Sequence, residues 1–166
     1  AVKHACWAQD VRPVIEWLNA EEYEKDAGAL KKLKEYDGII VPGGFGSRGI
    51  EGKIAVAGYC RKNNIPYFGL CYGLQIAALD FARNVCGIEG AHTTEIDPKT
   101  KNPVIDVMEE QKEKRRISQY GGSMRLGAYD CALVPGTLAG RAYGSKEISE
   151  RHRHRYEVNG AYVERM

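Results

Sequence analysis

Cys71 stands between two glycines in the run Gly69-Leu70-Cys71-Tyr72-Gly73. The apolar residues Ile65-Pro66-Tyr67-Phe68 precede it, and a helix-forming segment, residues 77–85, follows. Strand, tight turn and helix in that order describe a nucleophile elbow, a bend that lifts one reactive side chain clear of a sheet. Glycine at 69 and 73 suits such a bend, because a Cβ at either place would press on the neighbouring turn. A thiol at the start of a helix also faces main-chain N–H groups that favour negative charge. Free thiols are more commonly inert core residues. Two glycines at a strand–helix junction favour a nucleophile instead.

A second glycine-rich run, Val41-Pro42-Gly43-Gly44-Phe45-Gly46-Ser47-Arg48-Gly49, also leaves a strand and enters a helix. Amides exposed in such a turn cradle a phosphate or an oxyanion. The pattern G-x-x-x-x-G-K-[ST] is absent, and Gly44-Phe45-Gly46-Ser47-Arg48-Gly49 matches the dinucleotide spacing only formally. Pro42 and the short segment that follows argue against a dinucleotide site. Taken alone, the run is a connecting loop or an anion cradle. Beside a nucleophile on the neighbouring strand it becomes an oxyanion hole, with the amides of Gly44 and Tyr72 facing one point.

The third candidate is Arg151-His152-Arg153-His154-Arg155-Tyr156-Glu157. In an extended segment, strict alternation puts His152 and His154 on one face and the three arginines on the other. Two zinc ligands are spaced this way, yet a site needs a third and a fourth, and the spacing supplies neither. A nucleic-acid stripe would want an overall basic excess or an aromatic platform. Arginines here can hold a carboxylate, a task suited to Arg155 beside an amino-acid substrate. A solvated polar edge strand is the competing account. Glu95, in His92-Thr93-Thr94-Glu95, could bind an ammonium group, but nothing in its neighbourhood singles it out.

Alternating elements must position these residues. Residues 1–9 read as helix, 12–18 as a strand carrying Val14, Ile15 and Trp17, and 21–36 as a surface helix. A short buried strand at 38–41 stops at Pro42-Gly43-Gly44, and 50–63 returns to helix before the elbow. Such alternation implies a parallel sheet covered on both faces. The polar stretch 92–120, with its charged run 109–116, reads as an excursion over the surface. Residues 123–129, 131–134 and 148–158 read as extended segments, the first two parted by Asp130. The segment 161–166 reads as the opening of a helix, and both ends look cut, with a first sheet strand expected to be missing.

The 166 residues make one domain, with a net charge of +2 that offers no general case for nucleic acid or a membrane surface. No apolar run approaches the roughly 20 residues a bilayer span needs. The five cysteines are scattered without a C-x-x-C pair, as expected of a reducing compartment; the cytoplasm is the default.

A wider pattern runs through the chain in order: Pro42-Gly43-Gly44-Phe45-Gly46, Gly69-x-Cys71-x-Gly73-x-Gln75, Phe81-Ala82-Arg83-Asn84-Val85, Thr94-Glu95, Met124-Arg125-Leu126-Gly127-Ala128 and residues 150–157. In these blocks the chain resembles the glutaminase domain of CTP synthase, a class I (triad) glutamine amidotransferase. The resemblance covers almost the whole chain. It implies a flavodoxin-like three-layer α/β sandwich with a mainly parallel central sheet, in which residues 1–166 are a partial amidotransferase domain and the synthase domain is absent. It also implies that Cys71 attacks the side-chain amide of L-glutamine while Gly44 and Tyr72 supply oxyanion-hole amides. Gly44, Tyr72, Gly73, Leu74, Gln75, Glu95 and Arg155 would form the glutamine site, with Glu95 and Arg155 on its charged ends. No cofactor or metal belongs to this domain by that resemblance. ATP and Mg²⁺ serve the synthase domain in aminating UTP, GTP activates, and the family forms homotetramers.

One departure bears on activity. The family's catalytic His and Glu lie in a His-Pro-Glu motif, and no His-Pro-Glu occurs in these 166 residues. A cysteine without its base loses several orders of magnitude in rate, so the chain alone is expected to have little glutaminase activity. Two other classes remain open. One is a flavodoxin-like cysteine hydrolase or redox sensor, which would need neither Glu95 nor the arginine block. The other is a non-catalytic domain kept for binding or assembly.

Overall fold

The structure, a computed structural model, describes residues 1–108 and 124–166. Its elements in chain order are α1 (Val2–Trp7), α2 (Ala20–Lys25), a 3₁₀ helix (Ala27–Glu35), β1 (Ile39–Val41), α3 (Ile50–Asn63), β2 (Tyr67–Gly69) and α4 (Tyr72–Asn84). There follow β3 (Ala91–Thr93), β4 (Asn102–Val107), β5 (Arg125–Ala132), α5 (Leu138–Tyr143), β6 (Glu147–His154), β7 (Tyr156–Val158) and α6 (Gly160–Val163).

β1 and β2 pair in parallel with Val41 opposite Gly69, which aligns the ends of the two strands that feed the glycine loop and the elbow. β3 pairs in parallel with β4, and β7 joins β4 antiparallel. β5 and β6 form a separate antiparallel ribbon. A helical crossover between parallel strands is the α/β arrangement expected from the alternating pattern.

α3 is the pivot of the packing. Its Ile50, Ile54 and Ala57 meet Ile76, Leu79 and Ala82 of α4, together with Val104 and Ile105 of β4. Its Val56 and Cys60 turn to a second cluster with Tyr23, Leu33, Ile39 and Val41. Burial on both sides explains why this helix lacks a clean polar face. Its bounds match the expectation from sequence, because Gly49 (φ +65°) starts it and Asn64 (φ +54°) ends it in left-handed geometry.

Several expectations are corrected. Residues 12–18 form no strand: Val14 is 98 % exposed and Trp17 88 % exposed, and no described strand pairs with them. An apolar spacing supplies side chains for a core face, but a strand also needs a neighbour's N–H and C=O groups. The helix expected over 21–36 breaks at Asp26, whose side chain accepts from Gly28 N–H at 2.7 Å and starts the 3₁₀ helix afresh.

The stretch from 92 onward is not a surface excursion where it is described. Thr93, Val104, Ile105 and Val107 are buried in β3 and β4. Polar residues tie this region together: Thr94 Oγ1 donates to Asp106 Oδ1 at 2.6 Å, and Asn102 Nδ2 donates at 2.7 Å to Glu89 O in the turn before β3. Polar composition there serves hydrogen bonding within the fold, so it misled. The run 109–116 and the rest of that stretch to 120 lie outside the described residues, as does the start of the segment 123–129. Asp130 does not divide two segments, since β5 runs through it opposite Ser149. The segment 148–158 is two strands, parted at Arg155.

Candidate active site

Cys71 caps α4 with φ +55° and ψ −102°, a conformation that a side chain other than glycine adopts at a cost of about 1–3 kcal/mol. Its neighbours show why the turn requires glycines. A Cβ on Gly73 would stand 2.1 Å from the carbonyl oxygen of Val41, and one on Gly69 would stand 2.5 Å from that of Gly73. The bend therefore closes only without those side chains, and it presents an exposed thiol at the helix start. Tyr67 Oη donates to Gly73 O at 2.8 Å and pins the bend from below.

The first turn of α4 then sets what can face negative charge. The N–H groups of Gly73, Leu74 and Gln75 are engaged by Leu70 O, Cys71 O and Cys71 O at 2.9, 3.1 and 3.3 Å. Among the described residues no backbone carbonyl takes up the N–H of Tyr72, the first residue of the helix. The glycine loop lies against this turn: a Cβ on Gly43 would come within 3.9 Å of Cys71 Sγ, and one on Gly44 within 3.7 Å of the Tyr72 ring. Tyr72 Oη donates to Gly46 O at 2.7 Å, and Gly46 N–H donates to Glu95 Oε1 at 3.0 Å. Burial, with the Glu95 charge second, pushes the Tyr72 hydroxyl up to about 12, so it stays a donor.

A cavity of about 360 Å³ opens beside the thiol. It brings together Gly44, Cys71, Gln75, Glu95 and Arg155, residues from four separate stretches of chain, Cys71 and Gln75 sharing the start of α4. Gln75 is 92 % buried; its Nε2 donates to Tyr156 O at 2.7 Å while its Oε1 has no partner among the described residues. Glu95 spends one oxygen on Gly46. Tyr72, Gly73 and Leu74 do not line the cavity with their side chains: Tyr72 is buried, Gly73 serves the bend and Leu74 is exposed.

Phe45, Met124, Arg153, His154 and Tyr156 also line the cavity. No spacing rule points to Phe45 or Met124, whereas the other three belong to the arginine–histidine block. In that block His152 and His154 are half-buried and the arginines exposed, as strict alternation predicts. The spacing left two possible metal ligands without a third, and folding corrects this: Glu157 brings a carboxylate oxygen within 4.8 Å of ring nitrogens of both histidines.

A carbonyl held in the cavity would meet a thiol at one side and main-chain amides at another, with a carboxylate and a guanidinium to fix charged ends. No helix among the described residues is long and apolar enough to cross a membrane.

Comparisons with known proteins bear on the family and the fold. The family model for glutamine amidotransferase class-I matches residues 1–165. A CTP synthase of Thermococcus kodakarensis is 53 % identical over 166 residues, and one of Thermomicrobium roseum 54 % identical over 164. These alignments cover 100 % and 99 % of this chain and 30 % and 29 % of those proteins, so the chain spans about a third of the length of the curated relatives it matches. Among solved structures, the glutaminase domain of Trypanosoma brucei CTPS with bound acivicin superposes with a TM-score of 0.88 at 40 % identity. That match covers 98 % of this chain and 61 % of the other. The α/β fold is that of these flavodoxin-like domains, and the chain belongs to the class-I glutamine amidotransferase family.

Proposed function

We propose that this chain is the glutaminase part of a CTP synthase, hydrolysing L-glutamine at Cys71 to supply ammonia. The observation that carries the reading is the single cavity shared by Cys71, Gly44, Gln75, Glu95 and Arg155. Cys71 Sγ attacks the side-chain amide carbon of glutamine, and the carbonyl oxygen takes the negative charge. The N–H groups of Gly44 and Tyr72 receive that charge, which is worth most where water is excluded. Collapse breaks the C–N bond, ammonia leaves after gaining a proton, and a glutamyl thioester remains on Cys71. Water then cleaves the thioester, releasing glutamate and restoring the thiol.

Selection of glutamine follows from the charges. Glu95 keeps one carboxylate oxygen beyond its bond to Gly46 for the α-ammonium group. Arg155, at the break between β6 and β7, takes the α-carboxylate. Gln75 holds the strand next to Arg155 and offers its inward oxygen to the substrate. Gly73 and Leu74 contribute through the main chain of the elbow. The proton carrier of the family's triad, a His-Pro-Glu, is not among these residues, so the 166 residues alone turn over little glutamine.

In the whole protein, ammonia passes to a synthase domain that uses ATP and Mg²⁺ to aminate UTP, with GTP as activator, in a cytoplasmic homotetramer. No step at Cys71 involves those nucleotides. The test is an electrophilic glutamine analogue applied to the full-length protein. It should modify Cys71 and abolish glutamine-dependent CTP formation while sparing ammonia-dependent formation. Modification elsewhere, or glutamine turnover that survives Cys71→Ala, would overturn the proposal.

A further inference from the structure

His152, His154 and Glu157 converge beside the cavity in a manner that glutamine hydrolysis does not use. His152 and His154 lie on one face of β6, and their Nδ1 atoms stand 3.3 Å apart. One ring nitrogen from each and a carboxylate oxygen of Glu157 fall within 4.8 Å of one another. Two imidazole nitrogens on one tetrahedral zinc ion stand roughly 3.3 Å apart, so the histidine pair already has the spacing of a ligand pair. Two imidazole nitrogens this close are within reach of one hydrogen bond or one metal ion.

The third donor is prepared as well. Arg125 Nη1 donates to Glu157 Oε2 at 2.9 Å, while Glu157 Oε1 is buried and has no hydrogen-bond partner among the described residues. An orienting contact on one carboxylate oxygen with the other left over is the usual outer support of a metal ligand. The rings are braced too: Tyr129 meets His152 edge-on at 5.3 Å between centroids, and Arg125 stacks on Tyr129 at 4.0 Å. Opposite His152 in the β5–β6 register is Gly127, where an added Cβ would have no neighbour within 4 Å.

We infer that His152, His154 and Glu157 form a binding site for a divalent transition metal of the zinc class, with three protein ligands and one position open to solvent. Closing the set asks Glu157 to move by at most about 1.5 Å, since ligand atoms on one tetrahedral ion stand roughly 3.3 Å apart and these lie within 4.8 Å. Two nitrogens and one carboxylate suit zinc or cobalt(II) rather than calcium or magnesium, which prefer oxygen alone. Because Arg153, His154, Arg155 and Tyr156 line the Cys71 cavity, an ion here would brace that wall. The site does not depend on the glutaminase reading.

Cobalt(II) titration of the full-length protein tests it, because tetrahedral cobalt absorbs strongly in the visible and octahedral cobalt weakly. One equivalent per chain should give the strong bands, and zinc should erase them. His152→Gln and Glu157→Gln should each weaken binding by roughly 100-fold or more, since losing even an outer partner costs roughly 10- to 100-fold. Cys71→Ser should leave the bands unchanged. Their absence in the wild-type protein, their survival in both ligand variants, or their loss in Cys71→Ser would each overturn the inference. Using two variants on separate strands guards against one of them failing to fold.

Discussion

The side chain of Gln75 donates to the main-chain carbonyl of Tyr156 at 2.7 Å, joining residues 81 positions apart. This bond ties the elbow helix to the strand that begins just after Arg155. Gln75→Ala removes the donor and leaves a carbonyl facing a void, a cost of about 1–3 kcal/mol. If the bond sets the placement of Arg155, the KM for glutamine in the full-length protein should rise roughly tenfold, the equivalent of about 1.4 kcal/mol. Steady-state kinetics decide it, and an unaltered KM would sever Gln75 from substrate placement.

Tyr72 Oη holds the glycine loop through Gly46 O. Tyr72→Phe keeps the ring in the core but frees the loop that carries the Gly44 amide. Misplaced donors act on the transition state, so kcat for glutamine should fall roughly 10-fold with a smaller change in KM. A KM effect without a kcat effect would show that the hydroxyl serves binding alone.

The elbow itself makes a steric prediction. A Cβ on Gly73 meets Val41 O at 2.1 Å, inside any tolerable contact, whereas one on Gly160 meets nothing within 4 Å. Gly73→Ala should cost about 3 kcal/mol or more, and Gly160→Ala should change stability by less than about 0.5 kcal/mol. Urea midpoints of the two variants measure the contrast; equal midpoints would contradict the packing at the bend.

Asp80 on α4 is buried and accepts from Arg61 Nε at 2.8 Å and from Asn84 Nδ2 at 2.8 Å. Gly58 on α3 allows this approach, since a Cβ there would come within 2.5 Å of Asp80 Oδ1. Asp80→Asn leaves the guanidinium without its counter-charge at the α3–α4 contact. Arg61 is a third exposed and recovers part of its hydration, so the loss should be about 2–3 kcal/mol, below that of a fully buried pair. Thermal unfolding would show it, and a loss under about 0.5 kcal/mol would place the pair among ordinary surface bridges.

The cysteines separate by environment. Burial pushes the Cys60 thiol up to about 11, while Cys71 is exposed. At pH 8 about one Cys60 in a thousand is thiolate, and raising the pH toward its folded value increases that fraction. Iodoacetamide followed by peptide mapping should therefore modify Cys71 well before Cys60. Parity between the two peptides in the folded protein would contradict the burial of Cys60.

The elbow was legible because its cause is local. Gly69, Cys71 and Gly73 lie within five positions, and the clash that forbids a Cβ there involves the turn itself and one adjoining strand. The helix over 50–63 was equally plain, with its end residues Gly49 and Asn64 in left-handed geometry. Other readings failed for stated reasons. The stretch 92–107 looked solvated because Thr94, Asn102 and Asp106 are polar, yet these side chains hydrogen-bond to other parts of the chain. Residues 12–18 looked like a strand because Val14, Ile15 and Trp17 are apolar, although pairing depends on a neighbour that periodicity does not reveal.

Residue order alone singled out Cys71 as the candidate nucleophile and made plain the bend that carries it and the alternation of strands with helices, since the bend and the elements are governed by sterics and hydrogen bonding over a few neighbouring positions. Tertiary structure decided which distant groups face that thiol. Glu95 reaches the loop at Gly46 across 49 positions, and Gln75 reaches Tyr156 across 81. Glu157 joins two histidines that spacing had left without a third donor. Convergence of this kind depends on the path of the chain through α3, α4 and the sheet pieces, and on the burial that makes each unpaired oxygen costly.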